Sequence, residues 1–291
     1  NLGPVVPRGF LALFSPQGVS PYPEIPEASS GRLELAHWVA SPKNPLTARV
    51  FVNRVWRYLF GRGIVASTDN FGEMGDRPTH PKLLDYLAAF FMENNWSTKS
   101  LIRNIVLSDV YQMSSSPSFL TIKKDPENQL FSRQNRRRLE AEAIRDSMLL
   151  ASGRISFENF PGNQSRSVFE KINRNQVPDL FAVFDYPNPG LVTGNRNTST
   201  VPTQALFMMN NDFVMKQASL AGKIIFTRMD LKNEKKIELA FLTCLGRKPN
   251  AEESKLVNGF FNESLKGEFT AKAMEGLVHS LFACLDFRYL N

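Results

Sequence analysis

The most chemically suggestive stretch of the sequence is a loop rich in glycine and charged residues, residues 72–81. It places two carboxylates, Glu73 and Asp76, shortly before His80 and a segment of helical spacing. A helix N-terminus attracts anions, and a histidine there can serve as an acid or a base. The loop is therefore compatible with the active site of an enzyme in which Asp76, His80 and Glu73 act as acid and base. In the structural alternative, His80 or Thr79 caps the helix while Asp76 and Arg77 fasten the loop.

A second set of candidates consists of arginines, whose guanidinium groups bind carboxylate, sulfate and phosphate through paired hydrogen bonds. If they converge, they form an anion-binding face. The acids Glu140 and Glu142 directly follow one arginine run, so internal ion pairs are the alternative. The predicted ligand-binding residues are Arg49, Asn53, Arg54, Arg138 and Arg196.

The sequence lacks the spacings on which metal and cofactor sites depend. The histidines His37, His80 and His279 are far apart, and none has a second ligand at a zinc or haem spacing. No c-type haem attachment motif, phosphate loop or dinucleotide fingerprint occurs. Ser199 and Thr200 have no histidine near in sequence to activate them, so they are expected to cap a helix. We expect no metal site and no cofactor in this chain.

Helical periodicity dominates the segments that must position these side chains. Residues 1–30 contain six prolines, which favour an extended arm. A helical domain is then predicted over 31–291. Ser30 is expected to cap a first helix, and Asn44-Pro45 a second one that ends at Gly61.

Later segments continue the helical pattern. Helices are predicted to begin at Thr79 to Pro81 and at Ser97, and the chain after Pro202 reads as helix almost throughout. A short strand is predicted at 167–169. The fold class is therefore mainly α: an irregular multi-helical domain with a proline-rich arm and few short strands. A subdivision near 114–130 or 190–201 is the alternative to a single domain.

Composition narrows the classes of partner. The chain has 291 residues, a net charge of +7 and a pI near 9.4, which favour an anionic partner such as nucleic acid, an acidic polysaccharide or a phospholipid surface. Acids are interspersed among the bases, so specific nucleic-acid binding is not expected. No stretch is long and apolar enough to span a membrane. The start lacks a methionine and a signal peptide, so we expect the chain to be part of something longer.

The two cysteines, Cys244 and Cys284, each lie among apolar residues. Buried free thiols are the expected state, and a mutual disulfide is the alternative.

Several ordered motifs resemble one known family, the planctomycete-specific C-terminal domain of unknown function. The motifs that carry the resemblance are Arg32 to Trp38, Asn44 to Val50, Asn53 to Trp56, Phe60 to Gly63, Asp69 to Gly72, Thr79 to Pro81, Asn135 to Glu142 and Ser199 to Leu206. The resemblance implies an exported protein, periplasmic or at the cell surface. It also implies companion domains in the full-length protein, among them a planctomycete-type cytochrome c haem domain. It transfers no catalytic residue.

Three hypotheses follow. The first is a module of an exported protein that binds a partner domain or an anionic glycan through its arginines. The second is a polysaccharide-active enzyme with an Asp/His/Arg cleft. The third, a redox-partner module of a c-type cytochrome protein, depends on the family resemblance alone.

Overall fold

The computed structural model describes residues 3–4, 8–11, 25–26, 28–116, 118–157, 165–191, 193–261 and 269–290. Its secondary structure is mainly helical with a single two-stranded sheet in these ranges, which confirms the predicted fold class. The predicted proline-rich arm, residues 1–30, falls largely outside them. The chain divides into two compact units, Asn1–Asn135 and Arg136–Asn291. This boundary lies shortly after the first of the two stretches at which a subdivision was considered.

Unit 1, Asn1–Asn135, is built on two helices and the loop between them. The core residues include Val52 and Trp56 on one helix and Leu84 and Phe91 on the other, all nearly inaccessible to solvent. Burial of these apolar faces is the main term that stabilises such packing. The helices of unit 1 are α1 Arg32–Val39, α2 Thr47–Phe60, α3 Pro81–Glu93, α4 Thr98–Val106 and α5 Phe119–Lys124.

The ends of these helices follow local signals. The predicted cap Asn44 lies two residues before the N-cap of α2, which is Leu46 and has no side-chain capping hydrogen bond. The Asn44 side-chain oxygen instead accepts hydrogen bonds from the amides of Leu46 and Thr47, at 3.0 and 3.3 Å, in the turn that leads into α2. Gly61 ends α2 with a φ of 81°, a conformation that glycine adopts without strain. Ser97 caps α4 as predicted. The predicted cap Ser30 is wrong by one residue, because Gly31 with a φ of 72° occupies the N-cap of α1.

Unit 2, Arg136–Asn291, is built around two helices that pack against each other, α9 (Asp212–Phe226) and α12 (Ala271–Ala283). Its buried residues include Ala218 and Ala221 of α9 and Met274 and Val278 of α12. The helices of unit 2 are α6 Ala141–Ala151, α7 Asp179–Val183, α8 Pro202–Asn210, α9 Asp212–Phe226, α10 Asn233–Leu245, α11 Ala251–Gly259 and α12 Ala271–Ala283.

A two-stranded antiparallel sheet joins the two ends of unit 2. Strand β1 is Arg137–Arg138 and strand β2 is Tyr289–Leu290, with Arg138 opposite Tyr289. The Leu139 amide also donates to the Arg288 carbonyl at 2.7 Å. The strand predicted at 167–169 is wrong, since Ser167–Phe169 forms a 3-10 turn.

The two cysteines are free thiols, as predicted, and each is partly buried. In the ranges that the structure covers, no helix is both long and apolar enough to cross a lipid bilayer.

Candidate functional site

A cleft of about 230 Å³ lies in unit 1, between α2, α3 and the loop that connects them. We call it the α2–α3 cleft. Most of its lining is apolar, and three charged side chains, Arg49, Asp76 and Asp85, complete it. The remaining lining residues are Leu46, Val65, Phe71, Gly72, Pro78, Pro81 and Leu84.

An ion pair between the two helices forms one side of the α2–α3 cleft. Arg49 Nε on α2 lies 2.7 Å from Asp85 Oδ1 on α3. Arg49 Nη1 donates to the Pro45 carbonyl at 2.6 Å. Arg49 Nη2 and Asp85 Oδ2 have no hydrogen-bond partner among the residues that the structure describes. A ligand can therefore use a donor and an acceptor from the same pair.

Hydrogen bonds between the Ser67 side chain and the backbone hold the loop that carries Asp76. Ser67 Oγ accepts from the Asp76 amide at 2.7 Å and donates to the Asn70 carbonyl at 3.0 Å. Gly75 lies so close to the Asn70 carbonyl that it has no room for a Cβ atom. Asp76 is exposed, and its carboxylate forms no hydrogen bond or ion pair within the described ranges. The loop thus presents a solvated carboxylate at the cleft.

The other two acid and base candidates do not line the α2–α3 cleft. His80 Nδ1 lies 3.0 Å from Thr79 Oγ1, and the imidazole ring lies 5.7 Å from the Phe131 ring. His80 occupies the N-cap of α3 without a capping hydrogen bond from its side chain. Glu73 is exposed on the loop. Of the three candidates, only Asp76 reaches the cleft.

Asn53 and Arg54 occupy opposite environments on α2. Asn53 is buried, donates to the Val65 carbonyl at 3.0 Å and accepts from the Val65 amide at 2.9 Å. It therefore fastens the loop after α2, which is a structural role. Arg54 is exposed and does not line the cleft.

In unit 2, Arg138 lies at the centre of a buried polar network. It is 2.8 Å from Asp185 Oδ2 and donates to the carbonyls of Ser199 and Phe184 at 2.6 and 3.1 Å. The amide and hydroxyl of Ser199 also donate to Asp185 at 2.8 Å. Burial alone would raise the pKa of Asp185, but the hydrogen bonds from Ser199 and the charge of Arg138 outweigh it, so the pKa is lowered.

The network brings together motifs that are far apart in sequence. Arg138 belongs to the arginine run before α6, and Ser199 belongs to the polar segment before α8. Gln204 of α8 is fully buried and donates to the same Ser199 carbonyl at 3.2 Å. Asp185, which completes the network, was not predicted, and no local signal marks it.

Arg196 is held by acids near the start of α6. Its Nη1 lies 2.7 Å from Glu142 Oε2 and 3.1 Å from Glu140 Oε2, and its guanidinium lies 5.4 Å from the Tyr186 ring centroid. The internal ion pairs with Glu140 and Glu142 that were the alternative for the arginines are thus present at Arg196, whereas Arg138 pairs with Asp185. In the part of the chain that the structure describes, no group of three His, Cys, Asp or Glu side chains is arranged to hold a metal ion.

Comparison with known protein families identifies the family to which the chain belongs. Residues 31–261 match the PSD1 model, whose description is a protein of unknown function (DUF1553). The match covers most of the chain, so the chain belongs to the PSD1 family. No curated protein and no solved structure matches it.

Proposed function

We propose that this protein is a carbohydrate-binding module and that the α2–α3 cleft holds one neutral sugar ring. The observation that carries this proposal is the arrangement of Arg49, Asp76 and Asp85 around an apolar floor. A sugar ring combines C–H faces, which pack on apolar side chains, with hydroxyl groups that donate and accept hydrogen bonds. The cleft supplies both kinds of contact.

The size of the cleft supports a small ligand. At about 230 Å³ it is smaller than the pockets of about 300–1,000 Å³ that hold drug-sized molecules. A single ring is therefore the expected unit of recognition. Other residues of a longer glycan would extend into solvent.

The charges of the cleft favour a neutral ring. Asp76 and Asp85 contribute two carboxylates, and Arg49 contributes one guanidinium that already faces Asp85. A uronate or sulfate group placed here would meet a net negative site. The acidic glycans favoured by the basic composition therefore match this cleft less well than neutral ones.

Binding is better supported than catalysis. A glycoside hydrolase uses two carboxyl groups that flank the scissile bond, one of them with a raised pKa. Of the predicted acid and base residues, Glu73 and His80 do not line the cleft, and Asp76 is exposed to solvent. The enzyme alternative would need Asp85 as its second carboxyl group, and Asp85 is paired with Arg49.

The location and companions of the protein are part of the proposal. The sequence resemblance supports a periplasmic or cell-surface setting, where polysaccharides are available as ligands. It also supports a cytochrome c haem domain as a companion in the full-length protein. A redox-partner function has no support beyond that resemblance.

In the test, the protein is titrated with a panel of neutral and acidic oligosaccharides, and binding is measured by isothermal titration calorimetry. We expect neutral sugars to bind with a Kd on the order of millimolar, which corresponds to a binding free energy of about −4 kcal/mol. Changing Asp76 to Asn or Arg49 to Met should weaken binding about tenfold, because each removes a charged hydrogen-bonding partner.

Matched controls are available in the same unit. Arg54→Met removes an arginine from the same helix, and Asp109→Asn removes an exposed carboxylate outside the cleft. Both should bind as the unaltered protein does. Equal losses in the control and cleft variants, or no binding of any neutral sugar, would refute the proposal. Release of shortened glycan would favour the enzyme instead.

A further inference from the structure

Arg288 is a buried cation without a partner. It immediately precedes β2, and only 4% of its surface is exposed. Its guanidinium forms no hydrogen bond and no ion pair with any residue that the structure describes, and its Nε atom is completely enclosed. Arginine remains charged in proteins, and buried charges are normally paired. Arg288 therefore lacks the counter-charge that such a position requires.

Another cation, Arg138, is among the charged groups that influence Arg288. Burial is the main cause that lowers the pKa of Arg288. Tyr289 and Cys284 oppose this shift, and the positive charge of Arg138 adds to it. The acid in this region, Asp185, already faces Arg138 and accepts from the amide and hydroxyl of Ser199. Asp185 is thus engaged by Arg138 and Ser199, and it forms no ion pair with Arg288 among the described residues.

Two other polar atoms of unit 2 are also left unpaired. Arg138 Nε and Gln204 Oε1 are both buried without a hydrogen-bond partner. Arg138 and Gln204 converge on the Ser199 carbonyl, at 2.6 and 3.2 Å. Buried polar atoms are rarely left unpaired in proteins, so the unpaired Nε donors of Arg288 and Arg138 indicate a site for a group that accepts hydrogen bonds.

We infer that unit 2 contains an oxyanion site in which Arg288 binds a carboxylate or sulfate group. A guanidinium presents parallel N–H donors that match two oxygens of such a group. Arg138 supplies a second positive charge in the same region. This site is independent of the α2–α3 cleft, and its existence does not depend on the proposed carbohydrate binding.

The test uses thermal unfolding of the 291-residue protein in increasing sodium sulfate or sodium acetate, with sodium chloride at equal ionic strength as reference. Sulfate also stabilises proteins generally, by exclusion from their surfaces. The informative quantity is therefore the difference between the unaltered protein and Arg288→Met. We expect a saturable rise in Tm that exceeds the rise in the variant by roughly 2–4 °C. A larger response to sulfate than to acetate would identify the preferred group.

The same variant separates binding from a structural role. Without an oxyanion, Arg288→Met should be at least as stable as the unaltered protein, because it removes an unpaired buried charge. A purely structural arginine would give the opposite result, a loss of stability with the anion response intact. Arg228→Met is the matched control, since Arg228 is an exposed arginine paired with Asp230, and its anion response should be unchanged.

A second measurement does not require a variant. Crystals soaked in selenate, a heavy-atom analogue of sulfate, should show anomalous density within hydrogen-bonding distance of Arg288. Selenate bound only at other surfaces, or an Arg288→Met variant with the full anion response, would overturn the inference.

Discussion

Gly222 of α9 lies directly against the backbone of Glu275 in α12. A Cβ atom at Gly222 would be 2.7 Å from the Glu275 Cα atom. Because both atoms belong to packed helices, neither can move without shifting a helix. The close approach of α9 and α12 therefore depends on glycine at this position.

We expect Gly222→Ala to lower the free energy of unfolding by about 1–3 kcal/mol, as overpacking does in other cores. Gly259→Ala is the control, since a Cβ atom there meets nothing within 4 Å. This change should be neutral or slightly stabilising, because alanine restricts the unfolded chain. Urea unfolding measures both. Equal effects at the two positions would contradict the described packing.

A second prediction concerns acid stability. The pKa of Asp185 is lowered in the folded protein, so its contribution is present above the unfolded value of 3.8 and is lost as pH falls through the folded pKa. Asp185→Asn should lower the free energy of unfolding by about 1–3 kcal/mol at neutral pH, since it leaves Arg138 without its carboxylate partner. The difference between the two proteins should shrink in strong acid.

Denaturant unfolding over a series of pH values measures this effect. Asp230→Asn is the matched control, because Asp230 pairs with Arg228 at the surface. Its stability should stay close to that of the unaltered protein at every pH. A constant difference between Asp185→Asn and the unaltered protein down to the lowest pH would show that the carboxylate charge is not involved.

A third prediction concerns the thiols. Burial raises the pKa of Cys244 to about 12, and a neighbouring Cys284 thiolate would raise it further. Burial also raises the pKa of Cys284. Since the thiolate is the reactive form, both cysteines should react slowly with iodoacetamide at pH 8 in the folded protein.

Mass spectrometry of timed samples measures the rate, and the protein unfolded in guanidinium serves as reference. Both thiols should react rapidly there. Rapid labelling of Cys244 in the folded state would contradict its burial.

The sequence predicted the elements whose signals are local. Ser97 caps α4, and Gly61 ends α2, because each acts on backbone atoms within a few residues. The strand predicted at Ser167–Phe169 failed for a non-local reason. Asp146 accepts from both the amide and the hydroxyl of Ser167, which favours a turn over an extended strand.

The site residues were harder to predict because their partners are distant in sequence. Arg49 was a candidate, but its partner Asp85 lies on another helix. Arg138 and Arg196 were candidates as well, and their acids became identifiable only from the fold. Arg288 was missed, because a single arginine in an apolar segment resembles an ordinary surface residue. Its significance depends on burial, which sequence does not report.

The pairing of β1 with β2 has a consequence for synthesis on the ribosome. Arg138 and Tyr289 are opposite each other although almost all of unit 2 separates them along the chain. Unit 1 has its helices complete long before β2 is translated, whereas unit 2 cannot close its sheet until residue 290 has left the exit tunnel. During that interval, the nascent second half exposes apolar surface of α9 that α12 later covers, and exposed apolar surface of this kind favours aggregation.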